Sequence, residues 1–145
     1  MQRALRLSLA LPVVALLAAC SSTGAGIGTE AASGDTITIE HAFGTTEISG
    51  TPERVATVNW ANQDIALALG VVPVGMAAQT YGDDDGDGVL PWTAEALEEL
   101  GAETPALFDE TDGIDFEGVA ESNPDVILAA YSGLTEEDYE TLSEI

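Results

Sequence analysis

From Val55 onward the chain alternates short apolar strands with short helices, and it does so three times. In "VATVNWANQDIALALGVVPVGMA", Val55 to Val58 form a β-rich run. Ile65, Leu67, Ala68 and Leu69 suit a buried helix stopped by Gly70, and "VVPVGMA" is a second buried strand. "WTAEALEELGAETPAL" predicts a helix closed by Gly101 and a strand around Pro105 to Leu107. "DFEGVAESNPDVILAAYSG" repeats the unit, with a helix near Asp115 to Glu121, a turn at Asn123 and Pro124, and a strand from Val126 to Ala129. Strands and helices alternating over such short connections predict an α/β fold, a mainly parallel sheet with helices on both faces.

Two flanking elements complete the pattern. "TITIEHAFGTTEISG" alternates apolar and polar residues around a glycine turn, which predicts an N-terminal β-hairpin, Thr36 to Glu40 and Thr45 to Ile48, as an edge element. At the far end Thr135 is a helix N-cap with Asp138 three residues on, so a last helix opens without a stop signal after it. The expected folded domain is therefore 36–145, about 110 residues with a core of its own, truncated at its C-terminal end.

The leading segment is of another kind. Arg3 and Arg6 precede the apolar run Leu7 to Ala19, too short for a mature membrane span but suited to a secretory signal over residues 1–19. It ends in "LAAC", which resembles the lipobox of bacterial lipoproteins and marks Cys20 for lipidation; Cys20 is the sole cysteine, so no intrachain disulfide can form. Ser21 to Asp35 is rich in Gly, Ser, Ala and Thr, so residues 20–35 read as a lipidated flexible tether. The "GAGIG" within it fails as a phosphate loop, because Thr29 replaces the third glycine and no strand precedes it.

Charge narrows the partners. Of the three basic residues two lie in the signal, leaving Arg54 to oppose all 26 acidic residues. Nucleic acid and anionic membrane surfaces are therefore poor electrostatic partners. The balance serves solubility outside the cell, with steering of cationic ligands as the sharper alternative.

In parallel sheets ligands bind beyond the carboxyl ends of the strands. That rule selects Asn59, Trp60 and Gln63 after the first core strand, Ala78 to Trp92 after the second, and Tyr131 and Ser132 after the last. Two tryptophans and two tyrosines gather there, as in a binding mouth, although each taken alone also suits ordinary packing. Within "TYGDDDGDGVLPW", Asp83, Asp85, Asp87 and Gly88 fit positions 1, 3, 5 and 6 of a calcium loop. Position 12 falls on Ala94, with Glu95 one residue late, and a strand rather than a helix leads in; a solvated acidic loop is the plainer reading.

Taken together, "TPERVATVNWANQDIALALGVVPVGMA" and "NPDVILAAYSG" resemble the solute-binding proteins of ATP-driven iron-siderophore importers, a group that includes cobalamin and haem binders. The resemblance rests on Pro52, Arg54 and Val55 opening a strand, on Leu69 and Gly70 ending a helix, on Pro73, Val74 and Gly75, and on Asn123, Pro124 and Asp125 before an apolar strand. It implies two α/β lobes bridged by a long helix with ligand between them, of which this chain supplies one Rossmann-like lobe, the second lobe being absent. It also implies a cleft in which Trp60, Tyr81, Trp92 and Tyr131 pack against a ferric siderophore while Asn59, Gln63 and Ser132 offer hydrogen bonds. Glu117 falls where cobalamin-binding relatives dock onto arginines of the membrane permease, and it equally suits a solvated carboxylate near a helix start. Arg54 precedes its strand, at the end away from the cleft, and reads as structural. With no base in the cleft, a neutral or cationic hydroxamate complex is preferred over an anionic chelate, and Asp83 to Asp87 would attract it without contact.

Other classes fit less well. His41 is the only histidine and lies near the hairpin turn, so a bare zinc or manganese site lacks ligands. No G-x-S-x-G occurs and no second histidine could activate a serine, which argues against an enzyme, and no cofactor is implied. A lipid-tethered, calcium-dependent adhesion module using Asp83 to Gly88 is the rival from a different class.

Overall fold

The computed structural model describes residues 36–145. The signal over residues 1–19, the lipidation site Cys20 and the tether through residue 35 lie outside the described residues. Ten elements follow in order: β1 (Thr36–His41), β2 (Gly44–Ser49), β3 (Val55–Thr57), α1 (Gln63–Ala68), β4 (Gly75–Ala77), α2 (Pro91–Glu99), β5 (Ala106–Phe108), α3 (Phe116–Glu121), β6 (Val126–Leu128) and α4 (Glu136–Leu142).

Strands β3 to β6 form a parallel sheet in the order β5-β4-β3-β6. The crossovers through α1 and α2 each step one strand in the same direction; the one through α3 steps back across both β4 and β3. Right-handed crossovers then put α1 and α2 on one face and α3 on the other, and α1 and α2 do pack together. The direction of winding reverses between β3 and β6, so the crevice at the carboxyl ends of these two strands is the one the topology opens for a ligand.

The hairpin pairs Ile37 with Ile48 and Ile39 with Thr46, but it is a two-stranded sheet of its own rather than an edge of the larger one. The chain leaves it through Gly50, at φ 76°. Before β3 begins, the backbone amides of Glu53 and Arg54 donate to the Asp125 carboxylate at 2.8 and 2.9 Å. Its tip leans on α4, where the Tyr139 ring stands 4.9 Å from His41 and 5.6 Å from Phe43.

Ala56, Val58, Phe108, Val119 and Leu142 are the buried centre of the core, with Val74, Ile114, Phe116 and Ile127 packed around it. Phe108 lies directly over Gly75, where a Cβ would come within 2.2 Å of the ring. Thr135 with Asp138 forms the expected capping box on α4; Pro91 also opens α2, and Asp115 caps α3 through Gly118 N–H.

Arg54 behaves as a structural residue. Its guanidinium donates to the carbonyls of Ser122 and Asn123 at the C-terminal end of α3, at the opposite end of the strands from the crevice.

Candidate functional site

Trp60 is the centre of the crevice. Its ring lies 6.2 Å from Tyr81, which follows β4, and 6.1 Å from Tyr131, which follows β6, both at steep angles. Its indole N–H donates to the Tyr81 carbonyl at 3.1 Å. The three rings line a groove of about 440 Å³, and Asn59, Trp60, Tyr131, Ser132 and Gly133 line a second of about 430 Å³. All three aromatics face solvent, Trp60 at 39%, Tyr131 at 69% and Tyr81 at 79% exposure. Core packing does not account for rings so exposed; an aromatic surface for an apolar, flat ligand face does.

The backbone that presents Trp60 is unusual. Asn59 and Ala61, on either side of it, have φ of 62° and 59°. Asparagine tolerates this region, whereas an alanine there costs about 1–2 kcal/mol. Polar side chains from the neighbouring loops hold the turn. Glu110, beyond β5, accepts the Asn59 backbone N–H at 2.9 Å and its side-chain amide at 3.4 Å. Gln79, beyond β4 and buried, accepts the Ala61 N–H at 3.3 Å and donates to the Ala77 carbonyl at 2.7 Å. Asn62, fully buried, donates to the carbonyls of Val58 and Tyr131 and accepts the Tyr131 N–H at 2.9 Å, which fixes the last aromatic loop against the first.

Burial pushes the Glu110 carboxyl above the usual glutamate range; the Asn59 N–H opposes this and the nearby Asp115 charge adds to it. Asn59 Oδ1 and Glu110 Oε1 are both buried and have no hydrogen-bond partner among the described residues.

Of the residues expected at a binding mouth, Asn59, Trp60, Tyr81, Tyr131 and Ser132 are brought together. Asn59 turns its amide to Glu110, and the Ser132 hydroxyl donates to the Ala129 carbonyl at 2.7 Å, leaving its oxygen as an acceptor. Gln63 is not at the mouth. It is fully buried and donates to Thr93 on α2 at 3.4 Å, because its place in the first turn of α1 turns it into the helix pair. Trp92 likewise lines neither groove; it lies on α2 with its indole N–H on Asp64 Oδ2 at 2.8 Å. Glu117 is exposed in the first turn of α3.

The acidic loop is self-satisfied. Asp83 accepts the backbone N–H groups of Asp85, Gly86 and Gly88, and these bonds, led by Gly88, hold its carboxyl below the usual range. Repulsion from Asp87 comes first in raising that of Asp85. The carboxylates of Asp83, Asp85 and Asp87 converge to within 4.8 Å. Ala94, at the position where a calcium loop needs its bidentate carboxylate, lies on α2 and supplies none, so the donor set is half of such a site.

Asn62, Gln79 and Glu110 were not legible as site residues. Asn62 is adjacent to Gln63 and differs from it by one helical step; the strand-end rule selects the segment without saying which amide turns inward.

The family model described as periplasmic binding protein matches residues 55–145. A probable siderophore-binding lipoprotein of Bacillus subtilis, YfiY, is 31% identical over 120 residues, covering 81% of this chain and 34% of its own. Among solved structures, Streptococcus pneumoniae PiaA in complex with ferrichrome is 55% identical with a TM-score of 0.72, over 74% of this chain and 35% of that one. A periplasmic solute binding protein from Mycobacterium smegmatis is 38% identical with a TM-score of 0.65, over 76% and 37%. The chain thus spans about a third of the length of the relatives it matches.

Proposed function

The chain belongs to the periplasmic binding protein family, and we propose that it is the extracytoplasmic, lipid-anchored binding component of an ATP-driven importer, capturing a ferric siderophore for delivery to a membrane permease. The observation that carries this reading is the exposed trio Trp60, Tyr81 and Tyr131 at the point where the winding of the sheet reverses. Open aromatic faces suit the apolar periphery of a chelate, and neither groove is lined by a catalytic nucleophile with its base. The family is one of binding proteins rather than enzymes.

A hydroxamate complex such as ferrichrome fits best. Arg54, the one basic residue of the domain, is engaged with α3 far from the groove, so nothing there neutralises an anionic chelate. PiaA, more than half identical over the matched part, was solved with ferrichrome bound. In this reading residues 1–19 direct export, Cys20 carries the lipid, residues 20–35 are the tether, and 36–145 correspond to the first lobe of the family. Glu117, exposed on α3, is the candidate contact for the permease.

Titrating the full chain in detergent with ferrichrome, the iron-free chelator and calcium, each followed by tryptophan fluorescence, tests this. Saturable quenching by ferrichrome, weakened about tenfold or more in Trp60→Ala, is expected. The converging carboxylates of Asp83, Asp85 and Asp87 support one second reading, the calcium-dependent adhesion module. A rise in melting temperature with calcium and no response to ferrichrome would select it.

A further inference from the structure

We propose that Glu110, which lines neither groove, is the positioning residue of the binding mouth, holding the left-handed turn Asn59–Trp60–Ala61 in the shape that presents Trp60 to ligand. The proposal rests on the binding reading above but is tested separately from it. Two non-glycine residues with positive φ flank one exposed tryptophan, at 62° and 59°. Such a turn persists only where its surroundings over-determine it. Two neighbouring loops provide that restraint: Glu110 takes the Asn59 N–H from the β5 side and Gln79 takes the Ala61 N–H from the β4 side. Of these two bonds the first is the shorter, 2.9 Å against 3.3 Å, and its acceptor is a carboxylate, which makes it the stronger restraint. The Trp60 side chain itself has one hydrogen bond, to the Tyr81 carbonyl, and its ring is partly solvated, so its orientation depends on the backbone beneath it.

A turn held ready before ligand arrives improves affinity by lowering the ordering cost of binding. The carboxylate need not touch the ligand; what matters is an acceptor at the right distance from Asn59 N. That separates Glu110 from a charge-attraction role. Glutamine keeps the acceptor and the length, whereas aspartate keeps the charge and shortens the side chain by one methylene.

The test uses the full chain in detergent. In a Trp92→Phe background Trp60 is the only tryptophan, and its acrylamide quenching reports the turn without any siderophore. Glu110→Asp should raise the quenching constant of Trp60 about twofold and weaken ferrichrome binding about tenfold in the Trp92-containing protein, with the far-ultraviolet spectrum unchanged. Glu110→Gln should restore both to near the parent values. Glu110→Ala should resemble Glu110→Asp; if it fails to fold, the other two variants still decide. Quenching in Glu110→Asp equal to that of the parent overturns the proposal, as does Glu110→Gln being as loose as Glu110→Asp, which would mean that an acceptor of the right length is not sufficient to hold the turn. Should ferrichrome bind none of the proteins, the siderophore reading falls while the quenching series still decides the role of Glu110.

Discussion

Glu110 occupies a place where a charged carboxylate works against the fold. Burial, with Asp115 in support, raises its pKa above the ordinary glutamate value of 4.5, and the Asn59 N–H offsets this only in part. A raised folded-state pKa means that the folded protein binds the proton more tightly than the unfolded chain. The associated stabilisation is complete below 4.5 and is lost as pH rises through the folded-state value. Glu110→Gln cannot ionise and keeps an acceptor for Asn59, so it should melt higher than the parent at pH 7, with the difference shrinking as the pH falls toward 4.5. Asp83, Asp109, Asp125 and Asp138 have lowered pKa values and push the opposite way, but they are common to both proteins and cancel in the comparison. Paired thermal melts across that range decide the point. A lower melting temperature for Glu110→Gln at pH 7 would mean that the charge-assisted bond to Asn59 outweighs the burial cost. Stability given up at such a position is the usual mark of a site kept for binding.

At the scale of the elements, the packing over the sheet depends on one position that carries no side chain. A Cβ on Gly75 of β4 would meet Phe108 Cζ at 2.2 Å, and Phe108 is the largest fully buried side chain of the core. Gly75→Ala should therefore destabilise the protein by about 1–3 kcal/mol through displacement of the ring. Combining it with Phe108→Leu should recover part of that loss in a double-mutant cycle by chemical denaturation, whereas strict additivity would show that the two do not share the space. Much of this architecture was legible beforehand. Three strands of the parallel sheet fall within one residue of the apolar runs that predicted them and β4 takes only the last three residues of its run, Gly70 and Gly101 end their helices at φ of 77° and 65°, and the Thr135–Asp138 box forms as spaced. The hairpin was legible as a hairpin but not as a separate sheet, since apolar alternation and a turn specify the pairing of two strands and say nothing of which third strand, if any, they join. The aromatic rim was legible from strand ends alone. Gln63 and Trp92 lie apart from that rim because helical phase turns them toward hydrogen bonds between α1 and α2. No pattern in "NWANQ" announces an alanine at φ 59°.

For the whole molecule, charge separates the capture of a ligand from its retention. The formal net charge is −23, and the four aspartates Asp83 to Asp85 and Asp87 sit in the loop that also carries Tyr81. The groove itself is lined by Asn59, Trp60, Tyr81, Tyr131, Ser132 and Gly133, none of them charged. Long-range attraction would then act on the approach of a cationic complex and contribute little once the ligand is seated on the rings. A cationic ferric hydroxamate should bind with an on-rate that falls about tenfold or more between ~0.01 and ~0.5 M salt, because the Debye length contracts from about 30 Å to a few ångströms. Its off-rate should change much less, and ferrichrome, which carries no net charge, should show neither effect. Stopped-flow quenching of tryptophan fluorescence at several salt concentrations separates the two rates. If salt acted mainly on the off-rate of the cationic complex, a carboxylate would have to be in contact with the bound ligand, and the acidic loop would belong to the binding surface itself rather than to the field around it.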